Sequence, residues 1–248
     1  MAQKERIVYP RKRLVRRALR QLATVTLHLL CDFRVIGREN LPEKGPMILV
    51  ANHFHFGDVA AIVSISPWPV EFIGDTTTPN APVFLSWIRK LWGYILIRRG
   101  GASLQGLRKA IDVLDQDGVL FVAPEAGSWA PVLRPARPGA AFLATQSDAP
   151  LLPIGLDGLN DIFPRLRQGR RARVTVRIGQ PFGPFQTSGR GQERRRQLDQ
   201  IGHEIMRQIA LLIPPERRGI YSRDAAVREA TKDAANYPWS SKPAELDG

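Results

Sequence analysis

At 248 residues and 44% hydrophobic composition, the chain is long enough for one sizeable core and too ordinary in make-up for a disordered or fibrous protein. Its formal charge of +13 and pI of about 10.8 point to anionic partners, whether nucleic acid, acidic lipid or a phosphate-bearing metabolite. A single cysteine, Cys31, excludes an intramolecular disulfide and a thiolate zinc cluster, and no apolar run reaches the roughly 18–20 residues of a membrane-spanning helix.

The start of the chain is too polar for a signal peptide, so a cytoplasmic or peripheral protein is expected. From Pro10 to residue 30 the pattern predicts one helix. Arg11, Lys12, Arg13, Arg16, Arg17 and Arg20 give it charge, and Leu14, Leu19, Leu22, Val25 and Leu29 give it an apolar surface. Such a helix suits an anionic bilayer, although packing on its own domain leaves the same pattern. Residues 32–37 read as a first strand. Residues 47–51 read as a second, because a short apolar run follows Pro42, Gly45 and Pro46.

A helix is expected from Asp58, a strand over 70–73, then a helix containing Trp87 and Trp92 and a strand over 94–97 that ends in Arg98 and Arg99. Phe84 and the two tryptophans read equally as core, as headgroup-level anchors or as an acyl-chain wall. A helix over 103–115, capped by Ser103, precedes a strand at 119–123 and the loop Pro124–Glu125–Ala126–Gly127–Ser128–Trp129. Arg134 and Arg137 introduce a short helix, LLPIG forms a strand at 151–155, ARVTVRIG forms another, and a helix runs from about 194 to 213. The alternation predicts an α/β fold: a mixed, largely parallel central sheet flanked by helices. Residues 221–248 read as a polar tail, with a short helix allowed over 222–235.

The chemistry concentrates in NHFHFGD at 52–58. His53 follows the end of a strand and Asp58 opens a helix, and a bend between them folds the imidazole back onto the carboxylate. An imidazole steadied by a carboxylate is the minimal device for taking a proton from a hydroxyl. No GxSxG elbow supplies a nucleophile of the protein's own, so the hydroxyl belongs to a substrate. Two rivals stand beside this reading. His53, His55 and Asp58 crudely resemble the ligands of a metal-dependent hydrolase, against which stands the shortage of further histidine and cysteine. The charge alone would suit a basic membrane- or nucleic-acid-binding module, against which stands the lack of nucleic-acid recognition motifs.

Four ordered fragments carry a resemblance to the glycerolipid acyltransferase family, which includes the 1-acylglycerol-3-phosphate acyltransferases. NHFHFGD is similar to its block NHxxxxD, GYILIRR at 93–99 to G-x-x-x-x-x-R, APEAGSW at 123–129 to FPEGTRS, and LLPIG to its proline-containing strand end. The resemblance covers roughly residues 30–220. It implies an acyltransferase domain over 31–220, to which the residue pattern adds a basic amphipathic membrane-associating helix over 1–30 and a polar tail over 221–248.

It further implies His53 and Asp58 as the catalytic pair. Arg99 is then the phosphate contact, with Asn52, Glu125, Ser128, Arg134 and Arg137 around the substrate, and Gly93, Pro124, Gly127 and Pro153 hold the motifs. The implied donor is acyl-CoA or acyl carrier protein, the acceptor a lipid hydroxyl, and no metal or cofactor is required. The implied partner is the anionic membrane surface on the cytoplasmic side, with no specific nucleic acid. Backbone amides beside His53 or within 125–128 are the candidate oxyanion donors. The family carries a glycine where Ala126 stands and an arginine where Ser128 stands. Losing that cation favours compensation by Arg134 or Arg137, or a different acceptor such as an amino-acid lipid or a glycolipid.

Overall fold

In a computed structural model of the chain, the structure describes residues 7–74, 86–97, 104–126 and 130–235. The apolar runs become a seven-stranded sheet of β1 (Cys31–Ile36), β2 (Met47–Ala51), β3 (Val70–Gly74), β4 (Ile95–Leu96), β5 (Val119–Val122), β6 (Leu151–Asp157) and β7 (Ala172–Ile178). The spatial order is β1-β7-β6-β2-β5-β3-β4. β2 to β6 run parallel; β7 returns antiparallel to β6, and β1 follows β7. The sheet is therefore mixed and mostly parallel, as the alternating pattern predicts.

β2 is central, lies between β5 and β6, and every residue of it is buried. Burial on both faces explains why its sequence is a continuous apolar run instead of an alternating one. Met47, Leu49 and Ala51 enter the core on one face, and Ile48 and Val50 the core on the other. At roughly 1.5–3 kcal/mol per fully buried large aliphatic side chain, β2 is a firm platform for the loop that leaves it.

On the first face pack α1 (Arg13–Leu30) and α2 (Asp58–Ile65), with Trp92 from α3 (Ser86–Trp92) and Ile162 from α6 (Ile162–Arg167). On the second face lie α4 (Leu104–Leu114), α5 (Pro138–Gln146) and α7 (Gly191–Ala210); α8 (Ala225–Ala230) follows within the stretch read as a tail. α6 has no counterpart among the sequence expectations. Its six residues hold a proline and two arginines among three apolar residues, too short a run for a period to show.

The N-terminal helix corrects one expectation. Part of its basic patch turns inward. Arg16 is 3% exposed and forms a two-pronged pair with Glu71 of β3, Nη1 to Oε1 at 2.7 Å and Nη2 to Oε2 at 2.8 Å. Its Nε also donates to the Trp92 carbonyl at 3.1 Å, and its guanidinium lies 5.2 Å from the Trp92 ring centre. Arg11 joins the same carboxylate at 2.5 Å and donates to the Gly93 carbonyl, while Lys12 donates to the Lys90 and Leu91 carbonyls at 2.9 and 3.0 Å. The physical reason is Glu71, a carboxylate set in the apolar strand VEFIG, whose burial demands cations.

The tryptophans divide as well. Trp92 is core, donating from Nε1 to the Val70 carbonyl at 3.0 Å, and Trp87 is exposed. Phe84, Arg98 and Ser103 lie outside the described residues.

Candidate active site

Because β2 and β5 are neighbours, the loops leaving their C-terminal ends meet. The first carries His53 and the second carries Glu125, so the sheet order itself assembles the site, in the crevice where open α/β sheets gather ligands. The loop after β2 makes the required bend with a turn in which the Asp58 N–H donates to the His55 carbonyl at 3.1 Å. Gly57 sits inside it; a Cβ there would lie 3.0 Å from His55 Nδ1.

The bend brings His53 Nδ1 to 2.9 Å from Asp58 Oδ2. The same oxygen accepts the N–H groups of Phe54 and His55, each at 2.8 Å. Asp58 is thus the hub of the loop: one buried carboxylate fixes two amides and one imidazole. A carboxylate only accepts, so the imidazole donates from Nδ1 and keeps Nε2 as its basic nitrogen. Among the described residues no hydrogen bond is made by Nε2, and the His53 side chain is 21% exposed, against 2% for Asp58.

Glu125 stands behind the base. Its Oε1 accepts the His53 N–H at 3.3 Å and its Oε2 the Arg134 N–H at 3.1 Å, so one side chain joins the two loops. The Arg134 Nε lies 3.8 Å from Oε2. Burial pushes the Glu125 carboxyl up to about 8, against the opposing pull of Arg134 and the two amides. Arg134 itself is 1% exposed. The expectation of a substrate-facing Arg134 is corrected accordingly: its charge is committed to the interior beside Glu125.

Asn52 is corrected in the same way. Its side chain is buried, donating from Nδ2 to the Leu156 carbonyl at 2.9 Å and accepting the Leu156 N–H at 2.8 Å, so it pins the end of β2 to β6 and does not reach a substrate. Pro153 sits in β6 opposite Val50, and its carbonyl accepts the Gly179 N–H at 2.9 Å. The Pro124 carbonyl accepts the N–H of half-buried Arg137 at 2.8 Å, where Arg137 caps α5. Gly93 closes α3 at φ 82, a conformation glycine adopts without strain. Arg99, Gly127 and Ser128 lie outside the described residues.

Of the candidate oxyanion donors, the amides of His53, Phe54, His55 and Ala126 all donate within the protein, Ala126 to the Ala123 carbonyl at 3.1 Å. These amides are corrected from candidate donors to parts of the scaffold. His55 accepts the Gly57 N–H at Nδ1 and packs against Phe56, ring centres 4.0 Å apart and planes tilted by 37°; burial lowers its pKa.

Sequence reasoning missed two contributors near the site. Arg217 lines the cleft beside Asp58 and braces the segment after the Glu125 loop, donating to the Pro131 carbonyl at 3.1 Å. Phe163 of α6 lies 6.2 Å from the His55 ring and 6.1 Å from that of Phe56. Neither carries a local signal, because both reach the site through long-range packing.

Residues 32–157, just over half of the chain, match the Acyltransferase family. The chloroplastic 1-acyl-sn-glycerol-3-phosphate acyltransferase BAT2 of Brassica napus is 26% identical over 160 residues, covering 63% of this chain and 46% of that protein. The chain thus matches less than half the length of this curated relative. The crystal structure of the 1-acyl-sn-glycerophosphate (LPA) acyltransferase PlsC from Thermotoga maritima superposes with a TM-score of 0.56 at 21% identity, covering 80% of this chain and 83% of that one. That likeness places the mixed sheet and its flanking helices in the same fold. The chain belongs to the acyltransferase family.

Proposed function

We propose that this chain transfers a fatty acyl group from acyl-CoA or acyl carrier protein to the free hydroxyl of a lysophospholipid of the 1-acylglycerol-3-phosphate kind, with His53 as general base. The observation that carries the reading is the 2.9 Å bond between His53 Nδ1 and Asp58 Oδ2, which fixes the tautomer and leaves Nε2 as the acceptor. Nε2 takes the hydroxyl proton as the oxygen attacks the thioester carbonyl. Asp58 steadies the imidazolium, and the thiolate leaving group of the collapsing tetrahedral intermediate takes the proton back. The acyl group passes directly between substrates. The reading requires no metal or cofactor. The names of the Brassica and Thermotoga relatives support the choice of acceptor.

A second acceptor class, a lipid without a glycerol phosphate, is favoured by one observation: Arg134, the nearby cation that could replace the family arginine at Ser128, is buried against Glu125. The deciding experiment is a turnover screen of purified protein with acyl-CoA and acyl carrier protein donors against lysophosphatidate, other lysophospholipids, amino-acid lipids and glycolipids, with products followed by mass. Preference for lysophosphatidate is expected; turnover confined to acceptors without phosphate would replace that acceptor, and none with any acceptor would reject acyl transfer.

The reading places the chain at the surface of a membrane, on its cytoplasmic side. Among the described residues no helix is long and apolar enough to cross a membrane. α1 instead exposes Leu14 (80%), Leu22, Val25 and Leu29 (70%), which fall within an arc of roughly 80° opposite the buried Arg16 and Leu27. This unpartnered stripe suits the acyl boundary of a bilayer.

A further inference from the structure

With Arg16 buried and Arg11 half-buried against Glu71, part of the charge expected to meet an anionic surface is spent inside the protein. We propose that the arginine-rich segment formed by α6 and the start of β7 is an anionic-lipid docking surface that seats the mouth of the His53 site against the membrane. The proposal draws on the lipid-acceptor reading for its choice of occupant.

Between Ile162 and Arg173 the chain carries five arginines and no acidic residue. All five, at 165, 167, 170, 171 and 173, are exposed. Arg173 Nε lies 3.9 Å from Asp32 Oδ2, but among the described residues the side chains of Arg165, Arg167 and Arg170 make no hydrogen bond or ion pair, and three like charges left solvated together repel one another unless something anionic meets them.

Topology places this cluster at the reacting end of the sheet. Ala51, the last residue of β2, pairs with Ile154, and β6 continues beyond it to Asp157, which pairs with Thr175 of β7. Ala172 and Arg173 therefore project past the strand end that delivers His53. Gly158 allows the close turn, since a Cβ there would meet the Arg173 carbonyl oxygen at 2.0 Å.

Two apolar features adjoin the charge and favour a bilayer over a nucleic acid. Phe163, 46% exposed, shares a helical face with Arg167 while its ring touches the His55 and Phe56 shelf. Arg171 donates from Nη2 to the His28 and Cys31 carbonyls, which ties the cluster to the last turn of α1, where Leu29 is exposed. An aromatic residue and an apolar stripe bordered by arginines match the acyl boundary and headgroup layer of an anionic membrane; a phosphodiester duplex has no use for the stripe.

The test is sedimentation of purified protein with phosphatidylglycerol-containing vesicles and with pure phosphatidylcholine vesicles. R165Q/R167Q/R170Q removes three surface charges, which at the usual worth of a basic residue near an anionic bilayer weakens partitioning on the order of 100-fold. R190Q/R194Q/R195Q removes the same charge at the start of α7, on the opposite face of the sheet from α1, and is expected to bind much as the unaltered protein does. Unchanged binding by the first variant, equal loss in both, or tighter binding to a short DNA duplex than to the vesicles would overturn the proposal.

If the first variant does not fold, Phe163→Trp gives a second reading. Its emission after subtraction of the unaltered protein's, which carries five tryptophans of its own, is expected to shift to the blue with anionic vesicles and to stay in place with neutral ones, and no shift with either would overturn the docking surface. Neither measurement needs turnover, so their failure leaves the acyl-transfer reading standing, and an inactive enzyme that still binds vesicles leaves the docking surface standing.

Discussion

Glu71 and Asp58 are both buried carboxylates with at least three donors each, yet one closes a structure and the other opens a site. Glu71 is answered by the guanidinium groups of Arg11 and Arg16, and their remaining hydrogen bonds end on the Trp92 and Gly93 carbonyls. Every group in that cluster terminates inside the protein. Asp58 is answered by two amides and one imidazole, and the imidazole has a second nitrogen that no described residue engages. Burial and hydrogen-bond count do not separate the two; what separates them is whether a partner carries chemistry beyond the bond that holds it.

Breaking each cluster exposes that difference. Asp58→Asn lets the imidazole adopt the wrong tautomer, and kcat is expected to fall on the order of 10³-fold while far-UV circular dichroism stays that of a folded protein. Arg16→Ala is expected to act on folding: it leaves Glu71 with half of its neutralisation, and urea unfolding should show a loss of about 3–5 kcal/mol. A collapse of kcat in folded Arg16→Ala with unchanged unfolding would erase the distinction.

Glu125 lies between these cases, since it touches the base only through the backbone. Its folded pKa of about 8 stands above the ordinary carboxylate value of 4.5, so the unfolded chain releases this proton first as pH rises. The group's contribution is therefore fully present below about 4.5 and is lost as pH climbs to about 8. Urea unfolding at the two ends of that window should show the unaltered protein losing more stability than Glu125→Gln, whose amide does not titrate; equal losses would contradict it.

The smallest effect concerns the backbone beside Glu125. Ala126 sits at φ 59 in the left-handed region, where the family block carries glycine. Ala126→Gly is expected to stabilise the fold by about 1 kcal/mol in the same assay, and a destabilisation would show that the alanine methyl packs usefully.

Much of the site was legible in the sequence because its parts are local. The run MILVA, the breakers before it and the five-residue spacing of His53 and Asp58 specify a strand, a bend and a helix start without reference to the rest of the chain. The strands of the sheet were legible for the same reason. What was not legible depended on distant partners. Arg16 carries the pattern of a solvated helix edge until Glu71 is known to lie beneath it, although a lone carboxylate in VEFIG was itself a signal that a cation had to be near. Asn52 opens the first motif and Arg134 follows the third as substrate ligands would, and only the pairing of β2 with β6 and the burial of Glu125 reveal them as braces. The antiparallel return of β7, which carries the arginines to the reacting end, follows from the connection over residues 158–171, including α6, that no periodicity announces.

The most direct measurement is the acyl-transfer rate of purified His53→Ala with saturating donor and acceptor, beside a check of its unfolding midpoint. A fall of about 10²–10⁴-fold in kcat with the fold intact is expected if His53 takes the acceptor proton. Turnover close to that of the unaltered protein would contradict the role of His53 and, with it, the contrast between an open and a closed carboxylate cluster.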